Sequence, residues 1–169
     1  MHRLIPAGLL PLVLVTSVSA ADWGDLKMKF VYDGKVPTAP AISVTKDQQF
    51  CGKHNLKDES LVVSKDGALA NVVVYLYVGR RAPKPKVHPD YAKTAGQTVE
   101  LLNKNCRYEP RVTLVRTTQK VKVGNPDPIG HNTKVDTFSN PAINPIIPAG
   151  ASYEHQFSQP ERLPARLSC

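Results

Sequence analysis

The chain has 169 residues, 22 Lys+Arg against 14 Asp+Glu for a formal net charge of +8, and three cysteines. The length suits one domain, at the usual ~100–200 residues each, and no apolar stretch reaches the ~20 residues that span a bilayer, so no membrane-spanning helix is expected. The basic balance can steer anionic partners but does not specify a fold. The basic residues are dispersed, and their densest run, Arg80-Arg81-Ala82-Pro83-Lys84-Pro85-Lys86, is a Pro-rich loop rather than a nucleic-acid motif.

Residues 1–20 begin with His2 and Arg3, continue as an apolar run over 4–15 and close on Val18-Ser19-Ala20. That pattern predicts a secretory signal peptide, an export to the periplasm or beyond, and a working domain over 21–169. Leu26, Met28, Phe30 and Tyr32 then alternate with Lys27, Lys29 and Val31 before the Asp33-Gly34 turn, the pattern of a half-buried strand. The run Asn71-Val72-Val73-Val74-Tyr75-Leu76-Tyr77-Val78 predicts a central strand buried on both faces. Shorter strands are expected at 60–63, 98–102, 111–116, 120–123 and 152–157. One or two helical turns are expected near 89–94. Pro83, Pro85 and Pro89, and later Pro141, Pro145 and Pro148, mark two extended loops. Short strands about 8–12 residues apart with turn signals between them imply an all-β sandwich or barrel.

Cysteine and histidine carry the chemistry that can be read here. No Gly-x-Ser-x-Gly, His-Glu-x-x-His or P-loop motif is present, so no enzyme class has a motif to rest on. Cys51, Cys106 and Cys169 are an odd number for an exported chain: two can pair and one is left over. Cys51-Gly52-Lys53-His54 has the spacing of half a zinc motif, but no second half follows. The preferred reading pairs Cys51 with Cys106. His88, in a Pro-rich loop, and His155, in an alternating strand, read as surface residues. His131 differs, because the strand at 121–123, the turn Gly124-Asn125-Pro126-Asp127-Pro128-Ile129-Gly130 and a second strand set it at a strand head.

Strand-Asn-x-Asp-x-x-x-His-Asn is similar to the segment that supplies the first histidine ligand in cupredoxins, the blue-copper fold. The ending Arg162-Leu163-Pro164-Ala165-Arg166-Leu167-Ser168-Cys169 is similar to the strand leading to the ligand cysteine of that fold. The chain resembles more closely a group of exported cupredoxin-like proteins of planctomycete-type bacteria, sometimes labelled methylamine-utilisation or plastocyanin-like proteins. The likeness runs through Trp23-Gly24-Asp25-Leu26, Cys51-Gly52-Lys53-His54, Asp58-Glu59-Ser60-Leu61-Val62-Val63, Asn71 to Leu76, Asn105-Cys106-Arg107-Tyr108-Glu109-Pro110, Gly130-His131-Asn132-Thr133-Lys134 and Ser168-Cys169. It implies a Greek-key β-sandwich, a copper cofactor held by His131 and Cys169, electron transfer rather than catalysis, and an acidic redox protein as partner.

In that group the cysteine is followed by a segment carrying a second histidine and an axial methionine. The last residue here is Cys169, so the expectation is a sandwich without its last strand, an incomplete copper site and an open edge at which two copies can pair. Further ligands could come from the terminal carboxylate, His54 or His155. The alternative expectation is a metal-free β-sandwich that binds other molecules or serves a structural role at the cell envelope.

Overall fold

A computed structural model describes residues 23–79 and 81–169; the signal peptide expected at 1–20 lies outside them. The described chain is β-rich, with several small sheets and few helical turns. Eight strands follow one another: β1 (Val99–Lys104), β2 (Arg107–Glu109), β3 (Val121–Gly124), β4 (His131–Asn132), β5 (Lys134–Asp136), β6 (Ile146–Ile147), β7 (Ser152–His155) and β8 (Arg166–Ser168). Ahead of them lie a four-residue helix, α1 (Gln48–Cys51), and short 3-10 turns at Gly52–His54 and Pro89–Thr94. None of the described helices is long and apolar enough to cross a membrane.

The main sheet has the order β2-β1-β3-β7. β1 and β3 run parallel, with Val99 opposite Val121 and Leu101 opposite Val123. β2 returns antiparallel on one side of β1, and β7 is antiparallel to β3 on the other. Alternation sets its inner face: Leu101 and Asn103 of β1 and Val121 and Val123 of β3 are buried, while their neighbours are more exposed. Two two-stranded ladders, β4–β6 and β5–β8, complete the set. They bring Ile147 and Leu167 to the core of Leu101, Tyr108, Val121 and Val123.

The strands expected at 98–102, 120–123 and 152–157 coincide with β1, β3 and β7, and the helical turns near 89–94 with Pro89–Thr94. Other expectations are corrected. Residues 26–32 and 60–63 contribute isolated bridges, Val31 to Ala68 and Val63 to Leu69, rather than strands, and 111–116 forms none. The second proline-rich loop contains β6. The largest correction concerns 71–78, which belongs to no sheet, with Leu76 72% and Tyr77 82% exposed. A strand buried on both faces needs a ladder at its edges and a layer over each face. The described residues supply neither.

Candidate metal centre

The β1–β2 hairpin closes through a two-residue loop, Asn105-Cys106, with Lys104 opposite Arg107. Both loop residues have positive φ, 53° and 59°, the signature of the tight turn whose twist matches the flanking strands. Asparagine tolerates that region; cysteine does so less readily. Cys106 is joined there to Cys51 of α1 by a disulfide, with a Cα–Cα separation of 5.6 Å, inside the usual range.

The amides of this turn point at a carboxylate from elsewhere in the chain. Asp127 Oδ1 accepts the Asn105 N–H at 2.8 Å, and Oδ2 accepts the Cys106 N–H at 2.9 Å. Asp127 is only 4% exposed. Burial works to raise its pKa, but the Cys106 and Asn105 amides and His131 outweigh that effect and hold it below the ordinary carboxylate range.

Asp127 is placed by Asn125, whose side chain shapes the loop between β3 and β4. Asn125 Nδ2 donates to the carbonyls of Ile129, Ile147 and Pro148 at 2.8, 2.9 and 3.1 Å, and its Oδ1 accepts the Asp127 N–H at 3.1 Å. Gly150, at φ +72°, makes the tight turn that lets its own N–H reach the Asn125 carbonyl at 2.7 Å. The loop is therefore tied at both ends before it delivers His131 to β4.

His131 is 5% exposed, and its two ring nitrogens face different partners. Nε2 lies 2.9 Å from Asp127 Oδ2. Nδ1 lies 3.9 Å from Cys169 Sγ. A carboxylate on one nitrogen fixes the tautomer and leaves the other nitrogen with a free lone pair, the arrangement that supports metal-ligating histidines. Cys169 is exposed and is the free cysteine among the described residues. Its thiol lies 3.4 Å from Asn132 Oδ1, and the pairing of Ser168 with Lys134 carries it to the end of β8 beside β4. Tyr108 joins these strands, its hydroxyl donating to the Asn132 carbonyl at 2.9 Å and lying 3.3 Å from that of Ser168. Burial pushes its phenol above the ordinary tyrosine range.

The structure thus brings His131 and Cys169 together across 38 positions and Cys51 and Cys106 across 55. His54 and His155 join no group of metal-ligating residues among those described. His54 packs edge-on to Phe50, and His155 lies between Tyr153 and Phe157. Cys106, Asp127 and His131 form a group that could hold a metal ion, their ligand atoms lying within 4.8 Å of one another. While Cys106 is in the disulfide, its sulfur is not a thiolate and is a poor donor to that group.

Sequence reasoning gave Asp127, Asn125 and Tyr108 no role. The Asn-x-Asp-x-x-x-His spacing was the available signal, since it contains both loop residues that hold the histidine. No known protein family, curated protein or solved structure matches the chain.

Proposed function

We propose that this protein is an exported cupredoxin-like electron carrier, with a Greek-key β-sandwich fold and with His131 Nδ1 and Cys169 Sγ as two ligands of a copper centre. The observation that carries this reading is the 3.9 Å separation of those two atoms, with the other edge of the imidazole held by a buried carboxylate. The separation is shorter than the roughly 4.3 Å sum of ordinary imidazole and thiolate bonds to a borderline metal, so both atoms can reach one ion. Soft thiolate with imidazole is also the donor set that suits copper. Bound there, copper would supply one-electron exchange. The protein's part is to fix the ring through Asp127 and to present the sulfur at the exposed end of β8. The basic balance of the chain suits an acidic redox partner, and β8, paired on one side with β5, offers its other edge to a second copy.

Titration with Cu(II) and with Co(II) tests the site. The expected result is one ion per chain with a thiolate-to-metal absorption band, abolished by Cys169→Ser and by His131→Ala. Because only two strong protein donors are identified, binding should be weak and reversed by a chelator. A band that survives His131→Ala, or no band at saturating metal, would overturn the assignment and favour the metal-free module.

A further inference from the structure

The second edge of His131 points to another site, independent of Cys169. Asp127 meets Nε2 at 2.9 Å, and Cys106 Sγ belongs to the same cluster, all three ligand atoms lying within 4.8 Å of one another. A thiolate, an imidazole and a carboxylate are the donor types that zinc-class ions take with three protein ligands and an open fourth position. One of those donors is locked, because the Cys106 sulfur is bonded to Cys51.

We propose that the Cys51–Cys106 disulfide gates a divalent-metal site: reduction releases Cys106 as a thiolate ligand, and Cys106, Asp127 and His131 Nε2 then hold one zinc-class ion. A dithiol is sufficient as reductant. Its two sulfurs form a new disulfide as the Cys51–Cys106 bond breaks, and its two electrons and two protons leave Cys51 and Cys106 as thiols. On binding, the Cys106 thiol gives its proton to solvent, and the ring proton of His131 resides on Nδ1. Asp127 exchanges its hydrogen bond to Nε2 for a bond to the ion.

The arrangement does not need the disulfide to hold it. The β1–β2 ladder pairs Lys104 with Arg107 immediately beside the turn. The Asn105 and Cys106 amides are bonded to Asp127 through the backbone. Both contacts persist when Cys51 is detached, so the freed sulfur stays beside the carboxylate and the ring. Asp127 and His131 are already 4% and 5% exposed, so little further ordering is required to close the site.

The test uses the full chain with Cys169→Ser, which removes the other candidate thiol, and Co(II) as probe. The oxidised protein should show no thiolate-to-cobalt band. After reduction with a non-chelating phosphine it should bind one Co(II) with such a band, displaced by Zn(II). Adding Cys51→Ser should give the same band without reductant, and circular dichroism checks that this variant is folded. Asp127→Ala or His131→Ala should weaken binding by at least about tenfold. Equal binding by oxidised and reduced protein, no binding by the reduced protein, or a band that survives Cys106→Ser would overturn the proposal. Failure of the copper reading leaves these results untouched, because Cys169 is absent throughout.

Discussion

Asn125 ties the histidine loop down with four side-chain hydrogen bonds. Its amide bonds the carbonyls of Ile129, Ile147 and Pro148 and the Asp127 N–H, all at a position 1% exposed. Water cannot readily replace these contacts, and each buried group left without a partner costs about 1–3 kcal/mol. Asn125→Ala should therefore lower stability by about 2–4 kcal/mol, measured by urea unfolding at neutral pH. A loss below about 0.5 kcal/mol, the usual size of a surface substitution, would mean that the loop holds its shape without this residue.

At the scale of elements, β8 is short, and the chain leading to it is held by the Glu161 carboxylate together with the Asn140 side chain, which bonds the backbone of Gln159. Glu161 accepts the N–H groups of Phe138 at 2.9 Å, Ser139 at 2.9 Å and Asn140 at 3.1 Å, together with Asn140 Nδ2 at 2.8 Å. The Asn140 side chain, followed by these amides, holds the Glu161 carboxyl below the ordinary range against the opposing effect of burial. The folded-state value is thus lower than the unfolded one, so the stabilisation is full above the unfolded value of about 4.3. It is lost as pH falls through the lower folded value. Glu161→Gln should be less stable than the unsubstituted chain at neutral pH, and the gap should close on acidification below about pH 4. A gap that stays constant from pH 7 to about pH 3 would show that charge at this position is irrelevant.

The elements also show how much of the fold and site was legible in the sequence. β1, β3 and β7 were, because four to six residues of alternation leave a period that can be recognised. β6 was not, since a two-residue ladder has no period, whereas the head of β4 was, through the turn that precedes His131. The 71–78 run misled because β propensity measures fit to a half-buried pleated surface and cannot provide the neighbouring strands. At the site, His131 was picked out by the strand and turn that precede it, and Cys169 and the Cys51–Cys106 pair by the odd cysteine count. Asp127 lies between Pro126 and Pro128 and reads as a turn residue. Its amide donors come from Asn105 and Cys106, 22 and 21 positions away, a pairing that only the folded β1–β2 hairpin reveals.

Across the whole molecule, order is unevenly distributed. The core cluster is drawn from residues 101–147. Residues 23–70 are joined internally by backbone bonds such as Tyr32 to Gly67, Leu69 to Phe30, Ile42 to Leu56 and Asp58 to Pro40. Among the described residues, the covalent and ionic side-chain links that tie them to the sheet are the Cys51–Cys106 disulfide and the Arg107–Glu59 ion pair at 2.9 Å. A partly exposed pair of this kind contributes little. The covalent bond closes a loop over a sequence separation of 55, a restraint on the unfolded chain of about 4 kcal/mol in the chain-entropy account. The disulfide therefore serves as a leash as well as a gate. Cutting it should divide the molecule into two zones of different protection: amide hydrogens over 23–70 should exchange much faster in the reduced protein, while those of β1 and β3 keep most of their protection. Uniform acceleration across both zones would mean instead that the chain opens as one cooperative unit.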